Sequence, residues 1–237
     1  MKEALYYQFL PQLKTQCLLC PRNCVLLPNQ RGFCLNRQNL EGKLYALNYQ
    51  KVAALNEDPI EKKPLYHFYP GKNILSLGSY GCSLDCSFCQ NASIARQEEN
   101  NAFFKTLLPQ EFVSLALKQK NSMIAYTYNE PYIWFEQVLE TSILAKEQGI
   151  KNVLVSNGFF NEKPWKELAP FIDGVNFDFK GEDDFYKNQC KGWLSPVLKS
   201  IEYAFKHNIH IEITALIING LNDNPSFFNL LIKEISQ

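Results

Sequence analysis

The sequence predicts an α/β fold, a partial TIM-type (β/α)6 barrel with about five βα units, preceded by a small cysteine-rich module. Three observations predict it. From about residue 73 onward, short apolar runs alternate with helical stretches, the rhythm of parallel βα units. The first seventy residues lack that rhythm. Seven of the eight cysteines fall into two clusters, Cys17, Cys20, Cys24 and Cys34, then Cys82, Cys86 and Cys89.

The strands are expected at residues 74–78, 123–128, 152–156, 175–179 and 209–217, mostly apolar runs of the kind buried on both faces. Helices are expected at 109–119, 131–148, 163–171, 195–207 and 225–235. Several open with a proline at the first turn, where the missing N–H costs nothing, and the second ends at Gly149, a C′ residue. Residues 1–70 read as a separate metal-binding module leaning on the barrel of 71–237, with Asp58-Pro-Ile-Glu-Lys-Lys-Pro64 as irregular structure. After the helix at 225–235 no sixth strand is expected. That predicts an open half-barrel with an unpaired edge beside the fifth strand, poorly soluble alone, completed by another chain or covered by the module.

Lys plus Arg balances Asp plus Glu at 24 each, and no basic run occurs, so neither nucleic acid nor an anionic membrane is an expected partner. No stretch reaches the roughly 18 apolar residues of a membrane span, and the start lacks the pattern of a signal peptide. A cytoplasmic location is expected. In such a chain, cysteines at metal-ligand spacings read as thiolates for metal rather than as disulfides.

Gly81-Cys-Ser-Leu-Asp-Cys-Ser-Phe-Cys89 follows directly on the first strand, at the end where barrels place active sites. Three thiolates on a short loop each reach a different iron of one cubane and leave the fourth iron open to a ligand. A zinc knuckle built on these thiols would need one more ligand, and the nearest histidine, His67, lies before the strand.

This triplet resembles that of the radical S-adenosylmethionine (SAM) superfamily. Cys17-Leu-Leu-Cys-Pro-Arg-Asn-Cys24, Asp58-Pro-Ile-Glu-Lys-Lys-Pro-Leu-Tyr-His67, Cys89-Gln-Asn91, Tyr126-Thr-Tyr-Asn-Glu-Pro131 and Leu216-Ile-Ile-Asn-Gly-Leu-Asn-Asp223 together resemble the AmmeMemoRadiSam-system enzymes, relatives of the pyruvate formate-lyase activating enzymes. The resemblance implies a [4Fe-4S] cluster on Cys82, Cys86 and Cys89. SAM would chelate its open iron and be cleaved reductively to a 5′-deoxyadenosyl radical that abstracts hydrogen. It also implies a reductant such as flavodoxin or ferredoxin, and an association with AMMECR-type and Memo-like proteins.

By the same resemblance, Glu130 holds the SAM amino group, with helix capping as the plainer reading. Ser156 and Asn157 end the third strand. Asp178 and Lys180, facing the same side by the period of two, end the fourth, and Lys180 meets the SAM carboxylate. Val155 stands where relatives carry an aspartate, which argues against a cation site. The Phe88 backbone touches adenine, or its ring simply packs. Ile217 and the Asn219-Gly220 turn line the adenine pocket.

The four N-terminal cysteines suffice for a tetrahedral zinc or a closed second iron-sulfur cluster, and spacing does not separate the two. Leu27 stands where a second SAM triplet would need its third cysteine. Cys190 reads as a small buried hydrophobe or, after strand four, as a residue facing substrate. His67 reads as a satisfied loop histidine, with substrate contact as the sharper reading; His207 and His210 read as structural. Two other functions compete: a glycyl-radical-enzyme activating enzyme, and a non-catalytic iron-sulfur electron carrier or zinc-stapled binding module. Glu130, Asp178 and Lys180 at strand ends favour an enzyme, because a carrier needs no SAM pocket.

Overall fold

Apolar residues in the later strands sit on both faces, and the computed structural model, which describes residues 1–96 and 104–236, shows what covers each face. Strands β1 (Lys2–Glu3), β2 (Tyr7–Leu10), β3 (Lys14–Cys17), β4 (Val25–Leu26), β5 (Arg37–Leu40) and β6 (Lys43–Ala46) form two antiparallel sheets, ordered β1-β6-β5 and β2-β3-β4. Next come β7 (Lys51–Val52), β8 (Ala54–Pro59), β9 (Asn73–Gly78), the short helix α1 (Ala92–Ala95) and β10 (Lys105–Thr106), which pairs with β7. The βα alternation follows as α2 (Pro109–Lys118), β11 (Met123–Tyr126), α3 (Phe135–Glu147), β12 (Lys151–Ser156), α4 (Glu162–Leu168), β13 (Gly174–Asp178), α5 (Asp183–Gln189), α6 (Ser195–Lys206), β14 (His210–Thr214) and α7 (Pro225–Ile235).

The main sheet runs β14-β13-β12-β11-β9-β8, its first five strands parallel. Alternation along each strand divides the core. Leu75, Leu77, Ile124, Tyr126, Leu154, Val175 and Phe177 join the layer that packs on the helices. Ile74, Met123, Ala125 and Val153 face the other way and meet Ile60, Leu65 and Phe68 from the segment between β8 and β9. That segment therefore plugs the concave side of the half-barrel.

Five parallel strands stand where the apolar runs place them. The irregular structure expected at 58–64 is corrected at its start, where Asp58 and Pro59 close a strand. Much of residues 1–52 is antiparallel sheet, and residues 54–59 form a strand paired with β9 along six positions, from Ala54 opposite Gly78 to Pro59 opposite Asn73. The sixth strand is thus antiparallel and lies at the edge opposite β14; among the described residues none pairs with the outer edge of β14.

Several ends also shift. The expected strand 209–217 stops at Thr214 because Asn222 gathers the following loop: its Nδ2 donates to the carbonyls of Leu216 and Lys180, both at 2.8 Å, and its Oδ1 accepts the Ile218 N–H at 2.7 Å. The helix expected at 131–148 begins with a 3-10 turn, Pro131–Trp134, and Gly149 at φ +72° ends it. Among the described residues, no helix is long and apolar enough to cross a membrane.

Candidate active site

β9 delivers the chain to the cysteine triplet through a turn that only glycine fits. Gly81 has φ +85°, donates its N–H to the Ile94 carbonyl at 2.8 Å, and abuts Asn36 and the Cys34 carbonyl so closely that a side chain is excluded. The triplet loop is then pinned from several sides. The amides of Asp85 and Ser87 donate to the carbonyls of Cys190 and Gln189, both at 2.9 Å. Asn129 Nδ2 donates to the Gly81 carbonyl at 3.0 Å, while its Oδ1 accepts the Ser79 N–H at 3.0 Å. Arg22 Nε donates to the Ser83 carbonyl at 2.6 Å, and its guanidinium also bonds the Lys191 carbonyl.

All eight cysteines lie outside disulfides. The neighbouring Cys190 thiol, together with burial, holds Cys86 well above its ordinary value. Burial does the same to Cys82 and Cys89, and each is raised further by the charge of Cys86. The three thiols therefore stand within electrostatic reach of one another. Lys180 opposes the shift at all three.

Strand ends supply the surroundings. Glu130, 2% exposed, caps the 3-10 turn by accepting the Tyr132 N–H at 2.9 Å on Oε1, which also accepts the Ser156 hydroxyl at 2.8 Å. Its Oε2 accepts the Asn157 N–H at 2.9 Å. Burial pushes this carboxyl up to about 7 against those bonds. Asn157 Nδ2 reaches Ser83 Oγ at 3.1 Å and Cys82 Sγ at 3.5 Å. Lys180 Nζ sits 3.0 Å from Asp178 Oδ2 and 6.0 Å from the centroid of the Phe88 ring, which packs on Phe185. Burial lowers the lysine, but Asp178, Cys86 and Tyr186 outweigh it and raise the group above its ordinary value.

The fold thus brings Cys82, Cys86, Cys89, Phe88, Glu130, Ser156, Asn157, Asp178 and Lys180 to one end of the parallel sheet. Ile217 is not among them: it is 43% exposed, and Ile218 instead packs in the apolar cluster around Cys82 and Cys86. Cys190 is fully buried, as a small hydrophobe would be, yet its neighbour is a triplet cysteine. The sequence reading missed Asn129 and Arg22. Their only signal was adjacency, Asn129 beside Glu130 and Arg22 inside the cysteine string. His67 is exposed and bonds Glu212, through its N–H at 2.9 Å and Nδ1 at 3.4 Å.

The profile of the radical SAM superfamily matches residues 77–230, more than half of the chain and the stretch that carries this loop and these strand ends. The chain belongs to the radical SAM superfamily. A relative from Methanocaldococcus jannaschii, the uncharacterized protein MJ0808, is 42% identical over 224 residues, 94% of this chain and 67% of that protein. The 7-carboxy-7-deazaguanine synthase of the same organism is 24% identical over 71% of this chain and 72% of its own length. Its MJ1227, provisionally named a glycyl-radical enzyme activating enzyme, is 24% identical over 65% of each chain. The solved structure of Streptococcus suis SuiB superposes with a TM-score of 0.50 at 15% identity, over 66% of this chain and 35% of that one, a likeness of fold alone.

Membership implies a [4Fe-4S] cluster and SAM, and the radical SAM loop fits the cluster. Cys82, Cys86 and Cys89 are free thiols on one short loop, within electrostatic reach of one another, a donor set that would meet a cubane at three different irons.

Proposed function

We propose that this radical SAM chain holds its [4Fe-4S] cluster on Cys82, Cys86 and Cys89 and cleaves SAM reductively to abstract hydrogen from a substrate. The observation that carries this reading is the buried Lys180 ammonium, paired with Asp178 and felt by all three thiols of the loop. A closed electron carrier has no use for such a cation. When bound, the cluster supplies the electron that breaks a carbon–sulfur bond of SAM.

The chain's own groups divide the remaining work. Lys180 receives the SAM carboxylate, and Asp178 holds the ammonium in place. Glu130 spends three of its acceptor positions on Tyr132, Ser156 and Asn157, which leaves one on Oε2 for the SAM amino group. Ser156 and Asn157 fix that carboxylate, and Asn157 also donates toward Cys82. The Phe88 backbone lies beside the third cysteine, free for adenine while its ring packs on Phe185.

The motifs from Cys17 to Asp223 support placing the chain with the AmmeMemoRadiSam-system enzymes of the cytoplasm. AMMECR-type and Memo-like proteins would then be its associates, and a flavodoxin or ferredoxin its reductant. Likeness to MJ1227 supports a second reading, hydrogen abstraction from a glycine of a partner protein.

The test is anaerobic reconstitution with iron and sulfide, then dithionite and SAM, with chromatography for 5′-deoxyadenosine. Formation of that nucleoside is expected. An intact cluster that yields none defeats the proposal.

A further inference from the structure

Arg22 stands in the N-terminal cysteine string, yet its side chain serves the loop of Cys82, Cys86 and Cys89. Nε donates to the Ser83 carbonyl at 2.6 Å, and the guanidinium also bonds the Lys191 carbonyl, next to Cys190. Its Cζ stands 3.4 Å from the centroid of the Phe33 ring and 5.8 Å from that of Phe159. Arg96 braces on the same Phe33, with Cζ 4.7 Å from the ring centroid and Nη1 donating to the Phe33 carbonyl at 3.1 Å. Two guanidiniums thus share one aromatic support. Arg96 pairs with Asp85, 3.3 Å away. The two carbonyls bound by Arg22 are neutral and do not cancel its charge, which acts on the sulfur around it.

The bond to Ser83 matters because of the peptide unit it belongs to. The Ser83 carbonyl and the Leu84 N–H are two ends of one planar amide. The first accepts from Arg22, and the second donates to Cys82 Sγ at 3.3 Å. A cation bonded to the carbonyl draws electron density toward the oxygen and leaves the N–H a stronger donor. It also fixes the amide plane, so the N–H stays aimed at sulfur. Asn157 Nδ2 approaches the same sulfur from the end of β12, at 3.5 Å. Burial holds the Arg22 guanidinium below its ordinary value, while Cys20, Cys24 and Cys82 pull the other way, which sets Cys82 among the charges it faces.

Hydrogen bonds to ligating sulfur, and net charge close by, set the potential of an iron-sulfur cluster. Reduction adds one negative charge, and both a cation and a stronger N–H donor favour the state that carries it. We propose that Arg22 is a positioning residue which, through the Ser83–Leu84 amide, aims and strengthens a hydrogen bond to Cys82 and raises the reduction potential of the SAM cluster. The role rests on the proposed function, in which Cys82 is a cluster ligand. The N-terminal module thereby governs how readily the cluster accepts the electron that cleaves SAM.

The unaltered protein, Arg22→Gln and Arg22→Lys are reconstituted anaerobically with iron and sulfide as full chains. A redox titration then follows, by EPR, the reduced-cluster signal that SAM perturbs. In Arg22→Gln the iron content should be unchanged, while the ratio of reduced to oxidised cluster at a fixed potential should fall roughly tenfold, a midpoint about 59 mV more negative. Arg22→Lys keeps a charged donor and should recover most of that shift. An unchanged midpoint in Arg22→Gln with iron retained overturns the proposal. So does an equal shift in both variants, which would mark the packing of the guanidinium rather than its charge. Should Arg22→Gln take up no iron, Arg22→Lys decides alone: iron together with a midpoint matching the unaltered protein supports the role, and loss of either overturns it. An unaltered protein with no SAM-perturbed signal refutes the cluster itself, a different failure from a normal signal whose potential ignores Arg22.

Discussion

Lys180 and Asp178, two positions apart at the end of β13, form an ion pair at 3.0 Å with the lysine side chain only 14% exposed. The pair keeps the ammonium charged in a site lined with sulfur. Replacing Lys180 by Met removes one charge-assisted bond to a bound carboxylate, typically about 1.5–3 kcal/mol. SAM should bind roughly ten- to a hundredfold more weakly to the reconstituted variant, with iron content unchanged. Equilibrium binding under anaerobic conditions checks this; unaltered affinity would remove Lys180 from the SAM site.

Cys86 and Cys190 are neighbouring thiols, but only one of them belongs to the cluster loop. Cys86→Ala leaves two thiolates and should lose both the cluster and 5′-deoxyadenosine formation. Cys190→Ala keeps the three ligands and should retain iron, with a loss of stability of about 1 kcal/mol from the small cavity. Iron analysis of both variants decides. Retained iron in Cys86→Ala together with loss in Cys190→Ala would exchange their roles.

Glu130 imposes a pH dependence on the metal-free chain. Its carboxyl is raised to about 7 by burial from an ordinary 4.5. The fold therefore holds a proton that the unfolded chain releases. Stability from this group is fully present below about pH 4.5 and declines as pH rises to about 7, by as much as about 1.4 kcal/mol for each step of one in pH. Glu130→Gln should flatten that decline while lowering stability at every pH, because an amide cannot accept from all three donors. Urea midpoints at about pH 5 and about pH 8 test it, and parallel slopes for the two proteins would refute the assignment.

Arg37 and Glu136, each 2% exposed, make a buried bidentate pair that joins β5 to α3. Glu136→Leu alone strands a buried cation and the Leu5 N–H that donates to Glu136 at 3.1 Å. The expected cost is about 3–5 kcal/mol. Adding Arg37→Met should recover part of that loss. A double-mutant cycle from denaturant unfolding reads the coupling, and strictly additive losses would show that the pair does not act as a unit.

The parallel strands were legible because β9, β11 and β12 are buried on both sides, which leaves an apolar run with little ambiguity. β8 was not. Leu55-Asn-Glu-Asp-Pro59 is an edge strand whose polar residues read as loop, and only its pairing with β9 makes it extended. The cysteine triplet was legible from spacing alone, whereas Asn129 and Arg22 act on carbonyls 48 and 61 residues away, which no local pattern records. The exposure of Ile217 was not legible for a related reason, the loop closure made by Asn222.

The contact between Arg22 and the triplet loop belongs to a larger seam. Asn161 Nδ2 donates to the carbonyls of Leu18 at 2.8 Å and Cys20 at 3.0 Å, Arg96 Nη1 to that of Phe33 at 3.1 Å, and Arg22 Nε to that of Ser83. Each side of the seam supplies donors that the other side's backbone needs. A proteolytic cut that released residues 1–52 would leave the Ser83 carbonyl of the triplet loop without its Arg22 donor, and Asn161 and Arg96 without the carbonyls they serve, so the two parts should melt together as one calorimetric transition.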